Sequence, residues 1–124
     1  MPVTSKFVAL KNYIPTGLPK ETDFEIKTKE ISLDAKNNIL VLNLWISVDP
    51  YMRARMTERK NYKPPFNIGE EMEGYALGIV KESKDKNFKE GDIVFSNFGM
   101  RDYFVCNSNA VSYTHLRAHE TRCN

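Results

Sequence analysis

The chain has 124 residues, 41% of them hydrophobic and 27% charged, and its 18 basic and 16 acidic side chains leave a formal charge of +2. So even a balance, with no basic stripe interleaved with aromatics, gives no reason to expect a nucleic-acid or anionic-membrane surface, and no apolar run is long enough to span a bilayer. One domain with its own core is expected; Cys106 and Cys123 form neither a disulfide framework nor a Cys-x-x-Cys metal pair, which, with an N-terminus lacking an apolar leader, suits a reducing, cytoplasmic compartment.

Lys6 to Tyr13 has strand composition, and Pro15-Thr16-Gly17-Leu18-Pro19 ends it with turn chemistry. From Asp23 to Leu33 the apolar positions change phase: Phe24 and Ile26 share one face, Ile31 and Leu33 the other. That predicts a bulge or two short strands. After the polar turn Asp34 to Asn38, the run Ile39-Leu40-Val41-Leu42-Asn43-Leu44-Trp45-Ile46 is apolar on both alternating faces and predicts a strand buried on both sides. Asp49-Pro50 ends it, because proline lacks the ladder N–H and fixes φ near a helical value. Asp49 is the expected N-cap and Pro50 the first helical residue, with one or two turns through Met56. Such a helix holds Tyr51 and Arg53 at the mouth of a sheet; alternatively, Tyr51 and Met52 fill the core.

Thr57 to Phe66 is a charged loop closed by Pro64-Pro65, which must stay extended. Met72 to Val80 returns to sheet, with Tyr75, Leu77 and Ile79 on one face and Ala76, Gly78 and Val80 on the other. Gly74 and Gly78 mark a close approach to this backbone, either by sheet packing and barrel closure or by a ligand. Lys81 to Glu90 reads as a solvated connection. Gly91-Asp92 then turns the chain into Ile93-Val94-Phe95, and Tyr103-Phe104-Val105 supplies a last short strand. Many short strands and one small helix predict a mainly β, barrel-like domain.

Val111 to Asn124 breaks with what precedes it, and from Ser112 it resembles a translated adapter sequence, so the domain is expected over residues 1–110 with a non-native tail at 111–124. His115 and His119, with Glu120 and Cys123 close by, could line one helix face and hold a metal on spacing alone, but no apolar stripe seats such a helix. Before that tail the sequence has no histidine and only Cys106, so no zinc site is expected.

Ser47-Val48-Asp49-Pro50-Tyr51-Met52-Arg53, followed by Arg55-Met56, resembles the signature of the zinc-independent medium-chain dehydrogenases/reductases that reduce enones and alkenals with NADPH. Prostaglandin reductases, plant double-bond reductases and curcumin reductase-like enzymes belong to that group. The likeness continues through Asn61 to Phe66, Ile68-Gly69-Glu70, Gly78 to Ser83 and Phe88 to Val94, and covers Lys6 to Ala110. It implies a GroES-like, partly open β-barrel with one or two short helices, an apolar α,β-unsaturated carbonyl substrate, NADPH as cofactor and a homodimeric parent.

Enone reduction needs a hydride donor over the β-carbon and a hydrogen-bond donor where enolate charge develops. Tyr51 offers a phenolic O–H on an apolar body; by resemblance it matches the motif tyrosine, and Tyr75 a second tyrosine of the substrate pocket. Arg53 could receive an anionic substrate group or pair with Glu70 or Glu71. Asp49, Pro50 and Met52 are the candidate nicotinamide-side contacts. Zinc-dependent relatives carry a cysteine near Asp49-Pro50-Tyr51 and a Gly-His-Glu motif where this chain reads Glu73-Gly74-Tyr75, a departure that fits the zinc-free branch. No Gly-x-Gly-x-x-Gly occurs. The expectation is therefore an amino-terminal piece of a reductase, without its Rossmann domain, that alone binds NADPH negligibly and does not turn over. A non-enzymatic β-barrel interaction module and a truncated product with apolar surface exposed remain the alternatives.

Overall fold

Alternation along Val3–Leu10 (β1) turns Ser5, Phe7 and Ala9 inward, and the strand pairs antiparallel with Phe24–Ile31 (β2), from Val3 opposite Ile31 to Leu10 opposite Phe24. These and the other elements come from a computed structural model that describes residues 2–58 and 64–114. β2 is one unbroken strand, so the expected bulge is absent. Its middle residues are exposed, Ile26 among them, and a strand without a buried face has no phase to keep.

The second sheet has five antiparallel strands in the order Tyr103–Cys106 (β6), Ile39–Ile46 (β3), Ala76–Ser83 (β4), Ile93–Ser96 (β5) and Ser112–Thr114 (β7). The first sheet closes on it through β1: the Val8 N–H donates to the Met100 carbonyl at 2.8 Å, and the Asp102 N–H to the Lys6 carbonyl at 3.0 Å. The fold is mainly β, a partly open GroES-like barrel, as the sequence led one to expect. Ile39, Val41, Val80 and Val94 are wholly buried in its larger core, each contributing about 1.5–3 kcal/mol by leaving water.

Only the first half of β3 is buried on both faces. Between Asn43 and Trp45 the register with β4 shifts by one residue, so Leu44, Trp45 and Ile46 emerge from the sheet, with Trp45 72% exposed. Asn43 marks the break: its Nδ2 donates to the carbonyls of Phe98 at 2.7 Å and Arg101 at 3.0 Å, tying the strand to the following loop. β4 alternates as read, but strand pairing begins at Ala76 and runs on to Ser83, with a second register shift between Leu40 and Val41 of β3. The connection after it is solvated except at Phe88, which is buried.

The close approach at Gly78 is packing. A Cβ there would stand 2.5 Å from Val41 Cγ1 and 2.9 Å from the Leu42 carbonyl oxygen, opposite the β3 bulge. Gly78→Ala is expected to destabilise the fold by about 2 kcal/mol in urea unfolding, since neither neighbour can retreat from a filled core; a loss within about 0.5 kcal/mol of zero would show that the bulge yields. At the other end, Val111 is buried and Ser112–Thr114 pair with β5, so the sheet runs past residue 110. His115 and His119 lie outside the described residues.

Candidate functional site

The chain leaves β3 through Ser47, whose N–H donates to the Tyr75 carbonyl at 2.9 Å. Asp49 then turns back: its Oδ1 accepts the Ser47 hydroxyl at 2.8 Å, while its Oδ2 is buried without a hydrogen-bond partner. Asp49 is therefore not the helix cap. Pro50 occupies that position with helical angles and no side chain caps the turn, and α1 is the single turn Tyr51–Ala54, shorter than the stretch to Met56. A helix so short is stable only by docking. Met52 provides this, buried beside Leu10, Phe66 and Met72 in a second core, with its methyl group against Gly74 where a Cβ would collide. The glycine of this strand start is again a packing device.

Two grooves flank the turn. One of about 620 Å³ is lined by Val48, Asp49, Pro50, Met52 and Arg53, with Gly17, Leu18 and Pro19 across from them. A smaller one of about 220 Å³ is lined by Trp45, Ile46, Tyr75, Leu77 and Phe95. The expected site residues thus divide: Asp49, Pro50, Met52 and Arg53 share the large groove, and Tyr75 belongs to the small one. Tyr51 belongs to neither lining. It joins them through its chain neighbours and through its ring, which meets Tyr75 edge-on at 6.1 Å between centroids, while Tyr75 stacks on Phe95 at 5.4 Å. Burial first, and then the Asp49 carboxylate, push the Tyr51 phenol above its ordinary value, so its oxygen keeps a proton to donate.

Arg53 pairs with neither Glu70 nor Glu71. Its Nε and Nη2 donate to the Gly17 carbonyl at 3.2 and 2.8 Å, while Glu70 accepts from Asn67 and Glu71 pairs with Lys29. The buried guanidinium is that of Arg55, which the sequence reading passed over. It is 6% exposed, stacks 4.2 Å over the Phe66 ring, donates through Nε to the Pro64 carbonyl at 2.7 Å and reaches Glu73 at 3.1 Å. A second arginine two residues after Arg53, with an aromatic behind two prolines downstream, was the available signal for it. The exposed apolar row at Trp45 and Phe95 left no such signal, because a bulge creates it.

Cys106 is buried and desolvation pushes its thiol up to about 12, so it stays protonated and a poor nucleophile. Among the described residues no group of three or more His, Cys, Asp or Glu is placed to hold a metal ion. Nor, among them, is any helix long and apolar enough to cross a membrane.

Residues 6–113 match the family described as the N-terminal domain of oxidoreductase. The 2-alkenal reductase (NADP(+)-dependent) of Nicotiana tabacum is 42% identical over 107 residues, covering 83% of this chain and 31% of that protein. The NADPH-dependent curcumin reductase of Escherichia coli is 32% identical over 91 residues, covering 73% and 26%. Among solved structures, CurA from Vibrio vulnificus superposes with a TM-score of 0.81 at 28% identity, covering 89% of this chain and 32% of that one; CurA in complex with NADPH gives 0.80. The chain spans about a third of the length of these relatives.

Proposed function

This chain belongs to the family of N-terminal oxidoreductase domains, in its zinc-independent enone-reductase group, and on that premise we propose that it forms the substrate-side domain of an NADPH-dependent reductase of alkenals and enones. The observation that carries the reading is the edge-on pair of Tyr51 and Tyr75 beside two apolar grooves, in the turn with the Ser47 to Arg53 motif. NADPH, when bound, supplies a hydride for the β-carbon of the unsaturated carbonyl. Tyr51 holds a proton on its oxygen for the carbonyl oxygen, where negative charge develops, and the aromatic and methionine side chains keep water from the apolar substrate.

The fit to the cofactor can be judged from Asp49. Its buried Oδ2 lacks a donor, in a groove that Pro50 and Met52 also line, which suits an amide or hydroxyl of the nicotinamide end. With no Gly-x-Gly-x-x-Gly in this sequence, only that end is matched here. The substrate-side assignment of Tyr51 and Tyr75 belongs to the same proposal, as do a dimeric parent and a cytoplasmic site. Replacing the matching third of the tobacco 2-alkenal reductase with residues 6–113 tests the reading. The chimera is expected to oxidise NADPH when given 2-alkenals; a folded chimera that binds NADPH yet reduces neither alkenals nor enones would sink it.

A further inference from the structure

One wall of the large groove is not built from the sheet. Gly17, Leu18 and Pro19 form it, in the connection between β1 and β2. Gly17 sits at φ +83°, a backbone region open to glycine and strained for other residues, so the turn has a defined shape. That shape leaves Leu18 85% exposed at the groove. A leucine held out in water gains nothing from burial in this domain, yet the turn is pinned: two donors of the Arg53 guanidinium converge on the Gly17 carbonyl. The planar fork fixes direction as well as distance, which a lysine ammonium would not. The helix that carries the motif therefore also sets how far Leu18 stands from the thioethers of Met52, Met56 and Met72 across the groove, and methionine adapts to ligands of varied shape.

We infer that Arg53 is a positioning residue acting through the Gly17 carbonyl, and that Leu18, so held, is the specificity residue that meets the apolar tail of the substrate. This rests on the enone-reductase reading, and the occupant follows from continuity: Asp49, Pro50 and Met52 line this groove and belong to the same turn as Tyr51. The carbonyl end stays at the tyrosine pair and the tail extends under Leu18.

The test uses the chimera in which residues 6–113 replace the matching third of the tobacco 2-alkenal reductase, and compares it unsubstituted with its Arg53→Gln, Arg53→Lys and Leu18→Ala variants. Tryptic cleavage after Lys20 reads the latch without any turnover. Arg53→Gln is expected to accelerate it on the order of ten-fold by freeing the turn, and Arg53→Lys to restore part of the protection. The preference for medium-chain over short-chain 2-alkenals reads the specificity role. Leu18→Ala is expected to lower it on the order of ten-fold through KM rather than kcat, with Arg53→Gln following. Unchanged cleavage in Arg53→Gln overturns the latch; faster cleavage with an unchanged length preference in both variants overturns the role of Leu18. Should the unsubstituted chimera bind NADPH yet reduce no alkenal, the functional reading has failed separately. Equilibrium binding of saturated ketones of the same two lengths then decides for Leu18, and equal affinities in the unsubstituted chimera and Leu18→Ala refute it.

Discussion

Arg55→Ala is expected to lower stability by about 3 kcal/mol in urea unfolding, the largest loss among single changes near the motif turn. The sum has three parts. The Pro64 carbonyl loses a charged donor at 2.7 Å, worth about 1.5 kcal/mol, the low end for a charged donor because Pro64 is itself exposed and water can replace it. The Phe66 ring, itself buried, loses the guanidinium that covers it at 4.2 Å, about 1 kcal/mol or more in a desolvated pair. The ion pair with Glu73 adds little, since that carboxylate's side chain is 44% exposed and water screens it. Arg55→Lys is expected to recover less than half, because an ammonium cannot stack on the ring and reach Pro64 together. Arg53→Ala supplies the contrast: its partner is an exposed turn, so its stability loss is expected below about 1 kcal/mol. Equal losses at the two arginines would show that burial does not separate their roles.

The contrast between the arginines also shows what the sequence could and could not convey. Strand positions came through wherever one face is buried, as in the Ala76, Gly78 and Val80 alternation, because burial enforces a period of two. They came through less well where it does not: β2 is exposed along most of its length, and its change of phase meant nothing structurally. The run Ile39 to Ile46 misled for a different reason. Its composition is apolar apart from Asn43, and the one-residue bulge that turns Trp45 outward lies opposite Gly78 across the ladder, a long-range pairing no local pattern reveals. The motif turn was legible as a break with a short helix, since Pro50 permits little else. Which groove each side chain serves was not legible. Neighbours on one helical turn point in different directions, so Tyr51 and Met52 part company although they are adjacent in sequence.

That parting makes Tyr51→Phe the sharpest measurement on the proposed chemistry. Introduced into the chimera with the tobacco reductase, the variant is expected to lose roughly a hundred-fold in kcat/KM for 2-alkenals, the usual consequence of deleting one donor to a developing oxyanion. Its unfolding free energy should move by less than about 1.5 kcal/mol, because the ring contact with Tyr75 survives loss of the hydroxyl. The pH profile separates this role from packing. The donating form of the phenol is the protonated one, so its contribution is present at low pH and is lost only as pH rises through its pKa. Burial, and after it the charge of Asp49, lifts that pKa above the ordinary 10.0. Chimera activity attributable to Tyr51 is thus expected to stay level to about pH 9 and to fall only at higher pH. Tyr75→Phe, at a ring 40% exposed and stacked on Phe95, is expected to change kcat/KM several-fold at most. If Tyr51→Phe and Tyr75→Phe both matched wild type, the aromatic row would be a packing feature, and the proton that completes the enolate's stabilisation would have to come from outside this domain.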